Sequence, residues 1–148
     1  GLIPDDVLNA AMALGVNVLA VDPRNSEIVY AATTKGLFRS ADRGEHWEQI
    51  GQALSNQFIS TLALHPADAD IFYIGGPDGV HKTTDGGKTW RPHNEGLTTL
   101  NIRTISLSSS DPQLLYLGTN GSGLYRSTDG GLHWAPVPLT GTGQSPSP

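Results

Sequence analysis

Short apolar runs alternate with clusters of polar, turn-forming residues along most of the chain. Three of the runs are centred on tyrosines that lie 43 residues apart, namely Tyr30, Tyr73 and Tyr116. Another apolar run precedes each of them at the same spacing, over residues 18–21, 61–64 and 104–107. Runs of this length, rich in β-branched and aromatic residues and bounded by Gly, Pro, Asp and Asn, are typical of strands. The pattern therefore predicts an all-β chain built from a repeated unit.

The repeated unit holds four such runs, and its third copy has gained one residue near residues 120–122. Four strands in a repeat of roughly 40–45 residues are typical of one blade of a β-propeller. We therefore predict three four-stranded antiparallel blades, over residues 16–54, 55–97 and 98–140.

Each copy carries one motif, Ser/Thr-x-Asp-x-Gly-x-x-Trp, between its third and fourth strands, and all three tryptophans of the chain fall in it. The hydroxyl and the carboxylate can bond the backbone of their own turn, while Gly adopts a positive φ. Trp can cover the hairpin and donate its N–H to a carbonyl. We expect these residues to be structural: Ser40, Asp42, Gly44, Trp47, Thr83, Asp85, Gly87, Trp90, Ser127, Asp129, Gly131 and Trp134.

On these residues the chain resembles the Asp-box, or BNR, repeat family over about residues 16–139. Such repeats occur in sialidases, xyloglucan-cleaving glucanases, sortilin-type receptors and photosystem II assembly factors. The resemblance implies a β-propeller with the motif at the blade periphery, and it favours an extracytoplasmic location. A sialidase would need an arginine triad, but two of the six arginines, Arg39 and Arg126, share a repeat position with Lys82. A repeated structural role therefore fits them better than substrate binding.

Composition excludes several classes of function. The net charge is −5 and the basic residues form no cluster, which argues against nucleic acid and anionic membranes as partners. No apolar run is long enough for a spanning helix, so we expect no membrane insertion. The chain has no Cys, and its five His are not spaced like metal ligands, so we expect no disulfide, metal or cofactor.

Candidate chemistry is confined to loops. Six carboxylates there could act as acid or base in a glycoside hydrolase, although Asp followed by Pro is more simply a turn initiator; the six are Asp22, Asp68, Asp70, Asp78, Glu95 and Asp111. Phe58 and His93 lie outside the repeat pattern and are candidates for ligand binding. The pair Gly75 and Gly76 is expected in a hairpin turn.

Three blades make an incomplete circle, since propellers typically have about four to eight. The apolar flanks of the first and last blades would be exposed to solvent. We therefore expect a second copy of the chain, the missing blades of a longer chain, or the chain's own ends to cover them. Residues 1–15 are expected to form an outer strand or linker, alternatively a short helix, and residues 141–148 a flexible tail.

Repetition accounts for nearly all recurring polar residues, which favours a noncatalytic scaffold or binding module for a protein or carbohydrate partner. Two alternatives remain open. One is a fragment of a propeller glycoside hydrolase, and the other is an amplified repeat module that associates with itself.

Overall fold

The computed structural model describes residues 15–51, 54 and 57–139. Twelve strands and no α-helix occur within these residues. The strands form three separate four-stranded antiparallel sheets, each in chain order, which confirms the predicted all-β fold with three four-stranded blades. Blade 1 consists of β1 (Val16–Val21), β2 (Val29–Thr33), β3 (Gly36–Ser40) and β4 (Glu48–Ile50).

Blade 2 consists of β5 (Thr61–Leu64), β6 (Phe72–Gly76), β7 (Gly79–Thr83) and β8 (Arg91–Pro92), and blade 3 of β9 (Ile102–Leu107), β10 (Leu115–Thr119), β11 (Leu124–Ser127) and β12 (Ala135–Val137). The first strands of the blades contact one another, β1 with β5 and β5 with β9. The blades therefore converge on their first strands, and the Asp-box turns lie in the outer half of each sheet. All twelve strands fall inside the predicted blade boundaries, which remain predictions.

Two apolar cores lie between the blades because side chains alternate between the two faces of a strand. The first joins blades 1 and 2, where the rings of Tyr30 and Phe72 lie 4.9 Å apart and Trp90 meets Phe72 edge-on at 5.3 Å. The second joins blades 2 and 3 around Tyr73 and Leu117. The fold is thus held by face-to-face blade packing.

The outward faces of blades 1 and 3 have no such cover. Leu62 and Ile105 pack against the preceding blade and are each 6% exposed. Leu19 has the same repeat position in blade 1 and is 63% exposed. At the other end Tyr116 is partly exposed, whereas its counterpart Tyr73 is 1% exposed. Both outward faces therefore have the composition of blade interfaces.

The expectation for Gly75 and Gly76 was wrong, because both lie in strand β6 and the turn itself is formed by the residues before Gly79. A Cβ on Gly76 would come 2.4 Å from the carbonyl oxygen of Phe58, and one on Gly75 would come 2.7 Å from Ile102. Close packing against blade 3 and the chain before β5, rather than turn geometry, therefore requires these glycines. The alternatives for residues 1–15, apart from Gly15, and the tail at 141–148 lie outside the described residues.

Candidate functional site

The hydroxyl at the start of each Asp-box lies at the centre of its turn. Ser127 is 1% exposed; its Oγ donates to Asp129 at 2.8 Å and accepts the backbone N–H of Gly131, also at 2.8 Å. Ser40 and Thr83 make the equivalent bonds in blades 1 and 2. Gly131 has φ +89°, a region that favours glycine. The three turns are thus closed by their own side chains.

The Asp-box carboxylates take a second set of bonds, from the residue four positions later. Asp85 accepts the backbone N–H of Thr89 at 2.9 Å and its hydroxyl at 2.5 Å, while Asp42 and Asp129 bond His46 and His133 in the same way. These bonds favour the ionised carboxylate. The side-chain and backbone bonds from Thr89, with the bond from Thr83, lower the pKa of Asp85 to about 2. The pKa values of Asp42 and Asp129 are also lowered to about 2, by the bonds from their histidines first.

The third turn also bonds blade 2. Trp47 and Trp90 donate their ring N–H to a glycine carbonyl within their own turns, but Trp134 donates at 2.8 Å to the carbonyl of His93 in blade 2. The hydroxyl of Tyr73 donates to the carbonyl of Gly130 at 2.9 Å. Burial raises the pKa of Tyr73 to about 12, so the hydroxyl keeps its proton and acts as a donor. His93, proposed from sequence as a ligand contact, therefore gives its carbonyl to this junction.

The repeat position occupied by Arg39, Lys82 and Arg126 makes contacts within its own blade in blades 1 and 2. The Lys82 ammonium lies 5.3 Å from the ring centroid of Tyr73, and burial lowers its pKa. Arg39 approaches Glu48 on the neighbouring strand at 4.0 Å.

The loop carboxylates singled out from sequence mostly bond the turns in which they lie. Asp22 accepts the backbone N–H of Arg24 at 2.7 Å, Asp68 that of Asp70 at 3.0 Å, and Asp111 that of Gln113 at 3.2 Å. This is the geometry expected of turn-initiating Asp. Asp22 and Asp70 both line a groove between blades 1 and 2, together with the Asp-box residue Asp85. Asp78 lies in a different place, beside the partly buried His81.

A cleft of about 440 Å³ opens where the first strands of the blades begin, and we call it the inner-edge cleft. Its lining combines polar and apolar residues, with one positive charge and no carboxylate: Asn17, Val18, Phe58, Ser60, Pro77, Asn101, Ile102, Arg103, Thr104 and Asn120. Phe58, one of the lining residues, is 47% exposed. The cleft can therefore offer amide, hydroxyl and guanidinium groups next to an aromatic surface.

Bonds to the backbone hold several of these side chains in place. Asn17 donates through Nδ2 to the carbonyl of Ile59 at 2.8 Å, and the Ser60 hydroxyl lies 2.6 Å from the carbonyl of Ile102. Arg103 reaches Asn120 Oδ1 at 3.4 Å, a long bond that leaves most of its donors available. The cleft is thus partly preorganised, with Arg103 as its most open polar group.

The sequence singled out Phe58 as a candidate for ligand binding, which stays a prediction, but not the polar residues that line the cleft with it. A signal was present, because Asn17, Ser60 and Arg103 occupy one repeat position at a spacing of 43 residues. The position is polar in every copy, yet its identity changes from blade to blade. A structural residue such as the Asp-box Asp stays constant, so this variation distinguishes the cleft from the blade framework.

Within the described part of the chain, no group of three or more His, Asp or Glu is placed to hold a metal ion. No helix among the same residues is long and apolar enough to cross a lipid bilayer.

Solved structures with a similar fold are propellers. A GH74 enzyme from Niastella koreensis aligns with a TM-score of 0.70 at 25% identity, over 84% of this chain and 23% of that one. The GH74 xyloglucanase from Xanthomonas campestris gives 0.67 at 20% identity, over 88% and 24%. YCF48 bound to D1 peptide gives 0.64 at 20% identity, over 82% and 39%. The chain thus spans well under half the length of these proteins.

No curated protein matches the chain at a significant level. The sequence profile of the Sortilin-Vps10 family, described as "Sortilin, neurotensin receptor 3", matches residues 35–144. That match covers more than half of the sequence and agrees with the Asp-box resemblance and the three-bladed fold. The chain therefore belongs to the Sortilin-Vps10 family, a family of Asp-box propellers.

Proposed function

We propose that the chain is a noncatalytic propeller binding module and that its inner-edge cleft holds a peptide segment of a protein partner. The observation that carries the proposal is the lining of the cleft, which pairs the guanidinium of Arg103 with amide side chains and the exposed ring of Phe58, without any carboxylate.

Each of these groups suits one part of a peptide. A guanidinium binds carboxylates in two-pronged geometry, either at a C terminus or on an acidic side chain. Asn side chains have both donors and acceptors, so Asn101 and Asn120 can pair with peptide N–H and C=O groups. Phe58 offers an apolar surface to a neighbouring side chain. The description of the family as a receptor and the peptide bound to YCF48 are consistent with this assignment.

The likeness to GH74 enzymes supports a second candidate, a fragment of a glycoside hydrolase. Such an enzyme uses two carboxylates on either side of the glycosidic bond. The inner-edge cleft has none, and the loop carboxylates Asp22, Asp68 and Asp111 each give one oxygen to a turn. The inner-edge cleft therefore supports binding rather than hydrolysis, and because carboxylates do line the groove between blades 1 and 2, glycan hydrolysis is measured alongside peptide binding.

The test is selection of ligands from a randomised hexapeptide library with free C-terminal carboxylates, followed by affinity measurement with purified variants. Arg103→Gln and Phe58→Ala should each lower the affinity for the selected peptides about tenfold or more, the usual effect of losing a charged hydrogen bond or an aromatic contact. Arg126→Gln is the matched control, because Arg126 is exposed on blade 3 outside the cleft. Equal affinities for all three variants, or glycan hydrolysis by the wild-type chain, would reject the proposal.

The partners of the module include further blades in this proposal. The outward faces of blades 1 and 3 carry Leu19 and Tyr116 at positions that are buried wherever two blades meet. A second copy of the chain or the neighbouring blades of a longer chain would cover them. The closure of the propeller then depends on that contact.

A further inference from the structure

A groove of about 650 Å³ lies between blades 1 and 2, at the end of the blades that carries the Asp-box turns. It is at the opposite end of the first strands from the inner-edge cleft, since Asp22 follows β1 whereas Asn17 lies at its start. Both blades that form it are present, so its shape does not depend on further blades. We call it the Tyr30 groove.

Tyr30 differs from its repeat counterpart in a way that bears on this groove. The hydroxyl of Tyr73 is bonded to the Asp-box turn of the next blade, at Gly130. Tyr30 is 4% exposed and lines the groove together with Gly86, the counterpart of Gly130, yet no hydrogen bond from the described residues reaches its hydroxyl. A buried hydroxyl without a partner costs free energy, so the position favours an acceptor that comes from elsewhere.

A second buried polar group lines the same groove. Asp22 is 5% exposed, and one of its carboxylate oxygens accepts the N–H of Arg24. No other donor among the described side chains and backbone groups bonds this carboxylate. The groove is therefore lined by one carboxylate oxygen and one hydroxyl group that have no hydrogen-bond partner among the described residues.

The charges around the groove decide which class of ligand fits. Four carboxylates line it, from Asp22, Glu48, Asp70 and Asp85, which disfavours an anion. Arg39 and Lys88 line it as well and offset two of these charges, and the described carboxylates form no metal-binding cluster, so nothing in the groove is arranged for a metal ion. A neutral ligand with adjacent hydroxyl groups can donate a hydrogen bond to Asp22 and accept one from Arg39. It can also donate to the hydroxyl of Tyr30 or accept from it.

Shape supports the same class. Ile28 and Ile50 line the groove as apolar walls, against which the C–H face of a sugar ring can pack. Small-molecule sites are typically about 300–1,000 Å³ and combine apolar walls with a few convergent polar groups. We propose that the Tyr30 groove binds a neutral mono- or disaccharide, with Asp22, Tyr30 and Arg39 as its polar contacts.

The test uses the full chain with D-glucose, D-galactose, D-xylose and cellobiose as probes, by saturation-transfer NMR and calorimetric titration, with glycerol as the non-cyclic comparison. At least one sugar should bind and glycerol should not. Tyr30→Phe and Asp22→Asn should each lower the affinity for that sugar about tenfold or more. The first removes a hydrogen bond, and the second removes the charge that strengthens one. Asn at position 22 keeps the oxygen that bonds the turn.

Tyr73→Phe is the matched control, because it removes the same atom from the equivalent position where the hydroxyl is already bonded. It should leave sugar affinity unchanged. Binding of no probe, or a loss with Tyr73→Phe equal to that with Tyr30→Phe, would overturn the proposal. Arg103→Gln, which tests the peptide cleft, should not alter sugar binding, so the two proposals can fail separately.

Discussion

The hydroxyl of Tyr73 donates a hydrogen bond of 2.9 Å to the carbonyl of Gly130, joining blade 2 to the Asp-box turn of blade 3. Tyr30 occupies the same repeat position one blade earlier and lacks that bond among the described residues. Both tyrosines are buried, Tyr30 at 4% and Tyr73 at 1% exposed, so comparing them separates the effect of the hydrogen bond from the effect of burying the ring.

Tyr73→Phe should therefore lower the free energy of unfolding by about 1 kcal/mol or more, the usual net value of a hydrogen bond whose loss leaves a carbonyl unsatisfied. Tyr30→Phe should leave the free energy of unfolding unchanged or raise it slightly, because Tyr30 is buried and its hydroxyl makes no hydrogen bond among the described residues. Urea denaturation of the two variants and the wild type measures both. A larger loss with Tyr30→Phe would contradict this account of the junction.

Ser127 tests the Asp-box turn. Its hydroxyl is buried and bonds both Asp129 and the backbone of Gly131, so Ser127→Ala leaves a buried N–H without its acceptor. The free energy of unfolding should fall by about 1–3 kcal/mol. Thr128→Ala is the matched control, because Thr128 is exposed and blade 1 has Ala41 at the equivalent position. Equal losses for the two variants in chemical denaturation would show that the turn does not depend on the hydroxyl.

Acid should destabilise the fold through the Asp-box carboxylates. Asp85 has a pKa of about 2 in the folded chain, against an ordinary value of 3.8. A lowered folded pKa means that the ionised form stabilises the fold above about pH 4, and that this contribution is lost as the pH falls towards 2. Asp42 and Asp129 act in the same direction.

Asp85→Asn should therefore lower Tm at pH 7 and flatten the fall in Tm between pH 4 and about 2. Asp85 is the best of the three to change, because its partner is Thr89 rather than a histidine that itself titrates. Thermal melts across this pH range measure the effect, with Glu45→Gln as the control, since Glu45 is exposed in the equivalent turn of blade 1. An unchanged pH profile in Asp85→Asn would reject the role of the carboxylate.

The sequence predicted the blades well because each structural position occurs three times, and recurring Tyr, Gly, Asp and Trp left few competing interpretations. It predicted the surroundings of those residues less well. Trp47 and Trp90 bond their own turns, whereas Trp134 bonds the carbonyl of His93 in the neighbouring blade. That difference depends on how two blades pack, which the repeat pattern does not determine.

The candidate sites were largely beyond the sequence for a related reason. Arg103 and Asn120 lie 17 residues apart in the chain and meet because two strands of blade 3 pair. Tyr30 belongs to the repeat framework by its sequence, and it differs from Tyr73 in that no hydrogen bond among the described residues joins its hydroxyl to the next Asp-box turn. Both proposed binding surfaces lie where equivalent residues have different neighbours, and such differences appear only in the structure.

The open flanks give a prediction about association. Leu19 is 63% exposed on blade 1, while Leu62 and Ile105 at the same repeat position are 6% exposed against a neighbouring blade. If a second copy covers this flank, light scattering should show concentration-dependent association, and Leu19→Asp should weaken it by placing a charge in an apolar interface. Phe58→Asp is the control, because Phe58 is also exposed, at 47%, but lines the inner-edge cleft. A wild-type chain that stays monomeric at every concentration would contradict self-association and leave the blades of a longer chain as the cover for Leu19.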